Sequence, residues 1–447
     1  MGDVPAPALH GDAVPGSGRR AKRRPSVVLT AVLASLSLLL TACTGSAGAS
    51  TNGAVAGSTL SSAASDRLDA ALTDAMKLAG ASGAIAGVWA PWAGRWVVAD
   101  GMTTTKGPEP MGTGMRFRIG ANTRSMTCTV LLRLVDEGTV KLTDHVADYL
   151  ERTPGVDGMT LGQLCQGTSG LADYRPELAA QFVNNPTRQW PPLELVSSAL
   201  ASDRVGAPGS AWHDSNSGYV LLGMALESAT HSDWPTLYQK YIIDPLHLDA
   251  TTYPGAAQLE IRGSHPHGYA TARQPNGTLI CGTVEDVTEL SPSMAGVSGG
   301  VISTLADMKT WSEALAGGTL LTPETKKKQW ATVSMGKNAP SWLGYGLGAA
   351  QIGPFRGESG AIPGFSSAML SDPVSGLTVV VMLNNSSSGA ALAQHLAQRL
   401  ASIASKLPAT KGESAPLIEV PWSESQMVQA MQKEAVCQKP ATPAPAK

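Results

Sequence analysis

The sequence has no excess of basic residues, because 33 lysines and arginines are balanced by 35 aspartates and glutamates. A general nucleic-acid-binding protein needs a strong basic excess, so this class is excluded and no nucleic-acid partner is expected. Only 15% of the residues are charged and only 4 are phenylalanine, which is a bias of composition. No short repeat runs through the chain, and this excludes collagen-like and repeat architectures. Hydrophobic residues make up 43% of the 447 positions, which is enough for a core and excludes wholesale disorder.

The first 42 residues have the layout of an export signal. A basic stretch over 19–24 precedes an apolar run over 27–40, which is too short to span a bilayer comfortably. The run leads into Leu40-Thr41-Ala42-Cys43, which resembles a bacterial lipobox, in which the cysteine is lipidated. We therefore predict a signal peptide over 1–42, lipidation of Cys43, and an anchor at the extracytoplasmic face of the cell membrane. The alternative is an ordinary signal peptide followed by a free cysteine.

Four further cysteines follow the signal, and an even number in an exported protein favours disulfides. Cys128 and Cys165 both lie on predicted apolar helical faces, so we pair them with each other. Cys281 and Cys437 then pair by default. Four buried free thiols remain the alternative, because sequence alone does not fix connectivity.

The segment after the signal divides into three parts by composition. Residues 43–62 are small and polar, which is typical of a flexible tether. We assign 63–407 to one folded domain. The remainder, 408–447, is a C-terminal extension that ends in a Pro-, Ala- and Lys-rich stretch, so we predict that it is partly disordered.

Strand and helix patterns are distributed unevenly along the domain. Two strand pairs are predicted near its ends, at 83–100 and at 364–383. Helices are predicted at 65–78, 123–137, 218–229, 304–316 and 390–407. The fold class is therefore α/β, as an α+β sandwich: an antiparallel sheet built from both termini, flanked by helices, with an inserted helical lobe. The helix over 123–137 is expected to be amphipathic, because Met126, Val130 and Leu134 share one face.

Short motifs along the domain then give a family resemblance. They are Phe117-Arg118-Ile119-Gly120, Leu134-Val135-Asp136-Glu137-Gly138, Thr168-Ser169-Gly170-Leu171, Pro208-Gly209-Ser210-Ala211-Trp212, Ser215-Asn216-Ser217-Gly218-Tyr219, Ser298-Gly299-Gly300-Val301, Tyr345-Gly346-Leu347-Gly348, and Gly357-Glu358-Ser359-Gly360 with Pro363-Gly364-Phe365. In this order, over about 62–404, they resemble the serine β-lactamase and D-alanyl-D-alanine carboxypeptidase family, in its class C-like branch. The resemblance implies a β-lactamase/transpeptidase-like fold with a cleft between the sheet and the helical lobe.

The resemblance also implies acyl transfer in active members. A serine at the start of a buried helix attacks a carbonyl group, and a lysine three residues later lies beside it on the same helix face. A tyrosine that opens a Tyr-x-Asn motif relays protons. A lysine or histidine that opens a Lys/His-Thr-Gly strand motif helps to bind the substrate carboxylate.

This sequence departs from the family at each of those positions. Ala121 replaces the serine, so no acyl-enzyme can form there. Arg124 replaces the lysine and stays protonated, so it cannot act as a base. The other family positions hold Asp214 with Asn216, and Glu358 with Ser359 and Gly360. We expect a binding cleft formed by Arg124, Asp214, Asn216, Glu358 and Ser359.

Three alternatives for this cleft stay open in the sequence. Ser125, Ser215 or Ser359 would serve as a displaced nucleophile if His213, Asp214 or Glu358 acted as its base. The two carboxylates would instead suit glycoside hydrolysis. The simpler interpretation is a salt-bridge network in which Arg124, lying between or beside the carboxylates, fills a vacated active site.

The favoured hypothesis is a membrane-anchored, β-lactamase-related lipoprotein that has lost serine acyl transfer and acts in binding or regulation. The expected partner is a cell-wall fragment or an envelope protein, with the chain as a monomer. No cofactor is expected, and no cluster at metal-ligand spacing is present in the sequence. An active serine hydrolase with a displaced nucleophile is the alternative. A further alternative is an assembly factor that binds partners through a surface patch of Trp89, Trp92 and Trp96.

Overall fold

A computed structural model of the chain describes residues 59–437. The predicted signal peptide, the lipidation site Cys43, most of the predicted tether and the last ten residues lie outside the described residues. Between residues 59 and 437, no helix is both long and apolar enough to cross a membrane.

The described residues contain twelve strands. They are β1 (Gly83–Ala90), β2 (Gly94–Gly101), β3 (Arg116–Arg118), β4 (Tyr269–Arg273), β5 (Leu279–Asp286), β6 (Ile302–Thr304), β7 (Val333–Ser334), β8 (Leu343–Tyr345), β9 (Ala350–Ile352), β10 (Phe355–Ile362), β11 (Phe365–Ser371) and β12 (Thr378–Leu383). Eight of them form one antiparallel sheet in the order β2-β1-β12-β11-β10-β9-β8-β7. The first hairpin therefore pairs with the last strand, which confirms the prediction of a sheet built from both termini.

The same residues contain twelve α-helices. They are α1 (Ser62–Ala79), α2 (Thr123–Asp136), α3 (Leu161–Gln166), α4 (Arg175–Asn184), α5 (Pro192–Ala201), α6 (Asn216–Thr230), α7 (Trp234–Tyr238), α8 (Asp244–Leu246), α9 (Leu305–Gly317), α10 (Pro323–Gln329), α11 (Gly389–Ala404) and α12 (Glu424–Glu434). The segment from α2 to α8 runs between β3 and β4; α2 is the central helix, and α3 to α8 form the predicted helical lobe. All five predicted helices are present, and the last one ends at Ala404, three residues before the predicted end.

Both faces of the central sheet are buried, which makes the fold a layered sandwich. Val379 and Val381 of β12 belong to a core cluster shared with α1 and α11. Val380 and Met382, which alternate with them, belong to a second cluster shared with α2 and α9. Because successive side chains of a strand point to opposite faces, one strand joins the two cores. The predicted fold class is confirmed.

The helix α2 is buried on all sides, so the expectation of an amphipathic helix is wrong. Every residue from Thr123 to Leu132 is buried, including the polar side chains on the face opposite Met126. These polar groups are satisfied within the helix or by neighbours: Thr127 Oγ1 donates to the Val297 carbonyl at 2.7 Å, and Thr129 Oγ1 donates to the Ser125 carbonyl at 2.8 Å. A periodic pattern cannot reveal a helix whose polar face is also covered.

Both predicted disulfides are present. Cys128 on α2 is bonded to Cys165 on α3 and ties the central helix to the helical lobe. Cys281 on β5 is bonded to Cys437, which follows α12. Residues 408–437 pack against the predicted domain, since Trp422 and Met431 lie in the α1/α11 core cluster.

The predicted tryptophan patch does not form a surface. Trp92 is 3% exposed and donates its indole N–H to the Leu407 carbonyl at 3.0 Å. Trp96 is 6% exposed and donates to Asp69 at 2.9 Å. Trp89 is partly buried and packs against the core. Trp92 and Trp96 belong to the α1/α11 core cluster and Trp89 packs against the other one, so the predicted interaction patch is wrong.

Candidate active site

The first turn of α2 lies directly against strand β10. The chain reaches it through β3 and a 3₁₀ turn over Gly120–Asn122, in which Gly120 has a φ of +54°. A Cβ atom at Gly120 would lie 2.7 Å from the Ala361 nitrogen, and one at Gly360 would lie 2.3 Å from the Ala121 nitrogen. Glycine is therefore required on both sides of this contact. The contact brings Ala121 next to the strand that carries Glu358, Ser359 and Gly360.

Arg124 is the buried cation of the site, with only 4% of its surface exposed. One guanidinium nitrogen lies 2.6 Å from Asp214 Oδ1, and the other donates to Asn216 Oδ1 at 2.7 Å. The guanidinium carbon lies 4.9 Å from the ring centroid of Tyr219. Burial opposes the charge, but the Asp214 carboxylate holds the pKa of Arg124 well above its ordinary value. Arg124 is thus a permanent cation and cannot accept a proton.

Asp214 is held by a second arginine that the sequence did not single out. Arg175, at the start of α4, donates to Asp214 Oδ2 at 2.8 Å and pairs with Asp173 at 2.6 Å. Burial would raise the pKa of Asp214, but the two guanidinium groups lower it to about 2. Asp173 also accepts from the backbone N–H of Asn216. Four alternating charges therefore run across the site: Asp173, Arg175, Asp214 and Arg124.

Glu358 forms a separate hydrogen-bonded chain. Its Oε2 accepts from the Tyr345 hydroxyl at 2.8 Å, and its Oε1 accepts from the Ser359 backbone N–H at 2.9 Å. The Tyr345 hydroxyl lies 3.0 Å from that of Tyr219, which donates to the Cys165 carbonyl at 2.8 Å. Burial raises the pKa of Glu358 to about 7. Among the described residues, no ion pair joins Arg124 to Glu358. The predicted salt-bridge network is therefore divided: Arg124 pairs with Asp214, and Glu358 belongs to a separate chain of hydrogen bonds.

The candidate serines all direct their hydroxyls away from the carboxylates. Ser125 Oγ donates to the Asn122 carbonyl at 2.7 Å and accepts from Trp311 at 2.9 Å. Ser215 Oγ donates to the Ala172 carbonyl at 3.1 Å, and Ser359 Oγ bonds with Gln394 of α11 at 3.0 Å. In the described part of the chain, no hydrogen bond joins any of these hydroxyls to His213, Asp214 or Glu358. The geometry gives no support to a displaced nucleophile.

The space beside Ala121 is small. A cavity of about 40 Å³ lies between Ala121, Tyr174, Arg175, Asn216 and the segment 294–299. Pockets that bind drug-sized ligands enclose roughly 300–1,000 Å³. This one cavity therefore has room for water, and the half-exposed side chains of Arg175 and Asp214 lie at the solvent-facing side of the site.

The site contains few reactive groups. The pKa values of the Asp214 and Glu358 carboxyl groups are far apart, as they are in catalytic acid–base pairs. However, both oxygens of Asp214 accept hydrogen bonds from arginines, and both oxygens of Glu358 accept hydrogen bonds from Tyr345 and Ser359. Over residues 59–437, no group of three or more His, Cys, Asp or Glu side chains is arranged to hold a metal ion. The arrangement is suited to polar recognition at the mouth of the cleft.

Comparison with known proteins places this architecture among the β-lactamase-like and penicillin-binding-protein-like folds. A D-stereospecific amidohydrolase from Streptomyces superposes with a TM-score of 0.62 at 31% identity, covering 72% of this chain and 93% of that protein. A D-amino acid amidase from Ochrobactrum anthropi superposes with a TM-score of 0.61 at 23% identity, covering 73% and 93%, and supports the fold alone. The sequence profile of the Beta-lactamase family matches residues 68–403. The chain belongs to this family.

The curated relatives match over a shorter length. The D-alanyl-D-alanine-carboxypeptidase/endopeptidase AmpH of Escherichia coli K12 is 33% identical over 208 residues, which cover 44% of this chain and 48% of that protein. The chain thus spans about half the length of this curated relative. The family resemblance found in the motifs is confirmed.

We predict that Glu358 makes the stability of the fold depend on pH. Its folded-state pKa of about 7 lies above the ordinary value of 4.5, so its contribution is fully present below about pH 4.5 and is lost as the pH rises through 7. The free energy of unfolding should fall between pH 5 and pH 8 by no more than about 3 kcal/mol from this group. Glu358→Gln, which keeps the shape and removes the titration, should flatten that slope in urea denaturation.

Asp214 provides an internal reference for this measurement. Its pKa of about 2 means that its contribution is lost only as the pH falls through about 2, well outside the window tested. Identical slopes for the native chain and Glu358→Gln would contradict the assignment.

Proposed function

We propose that this chain is a lipid-anchored cell-envelope protein that has lost serine acyl transfer and acts in binding or regulation. The observation that carries the proposal is Ala121 at the position of the family nucleophile, beside an arginine that stays charged. Without a hydroxyl at that position, no covalent acyl intermediate forms. The serines nearby are engaged by carbonyl groups, an indole N–H and a glutamine amide, which supports the same conclusion.

The charges of the site indicate which ligands it accepts. Arg124 and Arg175 are cancelled by Asp173 and Asp214, and Glu358, with a pKa of about 7, adds up to one negative charge at neutral pH. No positive charge is left over for a ligand carboxylate, so penicillins and peptides ending in D-Ala-D-Ala should bind weakly or not at all. A neutral or cationic cell-wall fragment, or an envelope protein, is the better partner. The relatives include a D-alanyl-D-alanine-carboxypeptidase, which supports the cell-wall class.

The location follows from the first 43 residues. A basic stretch, an apolar run and the lipobox-like Leu40-Thr41-Ala42-Cys43 occur in the order that an exported lipoprotein requires. Two acyl chains on Cys43 would hold the domain at the extracytoplasmic membrane face.

We predict that the native chain forms no adduct with a penicillin or with a fluorophosphonate in intact-mass spectrometry. Ala121→Ser should also stay unmodified by penicillin, because Arg124 cannot take the serine proton. The positive control is a penicillin-binding protein treated in parallel, and both proteins must melt cooperatively. A stoichiometric adduct on the native chain would identify an active hydrolase, and digestion would locate its nucleophile.

We predict that Cys43→Ser moves the protein from the membrane fraction to the soluble fraction when expressed in an envelope-competent bacterial host. The native chain should carry the mass of a diacylglyceryl group on residue 43, and the variant should not. Cys437→Ser is the control, since it removes a cysteine but keeps the lipobox. Membrane retention of Cys43→Ser would rule out the lipid anchor.

A further inference from the structure

A second and much larger cavity lies in the helical lobe, away from Ala121. It encloses about 340 Å³, which reaches the range of small-molecule sites. Its wall is formed by α6, by the start of α5 and α7, and by the loops around 254 and 293. Among the described residues, the serine and arginine groups of the candidate active site do not line it.

The lining of this cavity is mainly aromatic and aliphatic. Trp190, Trp234 and Tyr253 contribute rings, and five prolines and Val297 contribute most of the remaining apolar surface. Electron-rich faces of Trp and Tyr attract cations, and the attraction is strongest where water is excluded. One of these rings already takes part in a cation–π contact within the chain, since the Arg188 guanidinium lies 3.7 Å from the ring centroid of Trp190.

Of the described residues, those that line the cavity include one carboxylic acid and no lysine, arginine or histidine. Glu227 on α6 is partly buried, and its carboxylate accepts from the Trp234 backbone N–H. None of the ion pairs formed within residues 59–437 includes Glu227. The cavity therefore places an uncompensated carboxylate beside aromatic rings, and a carboxylate taken out of water favours an opposite charge.

We propose that this cavity binds a small organic ammonium compound, with its charged nitrogen at Glu227 and its apolar body against Trp190, Trp234 and Tyr253. A neutral apolar molecule would bury its body equally well but would leave the carboxylate unpaired. An anion would be repelled. The charge of the ligand is therefore the property that the site selects.

The segment 292–299 separates this cavity from the candidate active site. Pro292, Ser293, Gly296 and Val297 face the ammonium cavity, whereas Met294, Ala295, Ser298 and Gly299 line the small cavity beside Ala121. The two sites are thus neighbours with a shared wall, and binding in one is tested without any change to the other.

The test uses the purified full chain and three probes of nearly equal shape: 2-phenylethylammonium, 2-phenylethanol and 2-phenylacetate. Binding is followed by calorimetry and by tryptophan fluorescence. The ammonium probe should bind about tenfold or more tightly than the alcohol, and the acetate should not bind detectably. In Glu227→Gln, the preference for the ammonium over the alcohol should fall several-fold, and any preference that is left comes from the aromatic rings.

A blocking variant locates the site independently of Glu227. A Cβ atom at Gly255, on the cavity wall, meets no heavy atom within 4 Å, and the same holds for the distant Gly114. Gly255→Trp should abolish binding of the ammonium probe, and Gly114→Trp should leave it unchanged. Equal affinity for the ammonium and the alcohol in the native chain, no binding of either, or unchanged binding in Gly255→Trp would each overturn the proposal.

Discussion

The ion pair between Arg124 and Asp214 is the interaction on which the site depends. A guanidinium with 4% of its surface exposed is strongly destabilising unless a carboxylate and hydrogen-bond acceptors surround it. Asp214 and Asn216 supply them at 2.6 and 2.7 Å, and Tyr219 covers one face. Arg124 and Asp214 therefore belong together: a buried arginine requires an anion nearby, and the aspartate provides it.

The scaffold around this pair keeps the geometry of the family. The close contact between Gly120 and Gly360 sets the start of α2 against β10, and the Cys128–Cys165 disulfide fixes α2 to the helical lobe. The glycine contact and the disulfide together hold the first turn of α2 in a fixed position against β10 and the helical lobe. A rigid cleft whose charges cancel one another is suited to recognition, because its groups are held in place before any ligand arrives.

Much of this architecture follows from the sequence. The sequence predicts both strand pairs, five of the twelve helices, the helical lobe and both disulfides, since period-2 and period-3.6 patterns and the even number of cysteines can be recognised in the sequence. Arg175 and Asp173 were missed, although both follow the Thr168-Ser169-Gly170-Leu171 motif closely, because their respective partners Asp214 and Asn216 are about 40 residues away in the chain. The separation of Glu358 from Arg124 was also missed, since it depends on a hydroxyl of Tyr345 that no spacing reveals. The sequence also does not reveal that α2 is buried on every side, because its polar face contacts other elements of the fold and not water.

A double-mutant cycle between Arg124→Met and Asp214→Asn tests the central claim most directly. The four free energies of unfolding should give a coupling energy of about 1–3 kcal/mol, as expected for contacting charged groups of which one is buried. The equivalent cycle between Arg175 and Asp214, whose side chains are 43% and 42% exposed, should give less than about 1 kcal/mol. A coupling near zero between Arg124 and Asp214 would contradict the account, because the arginine would then not depend on the aspartate that contacts it.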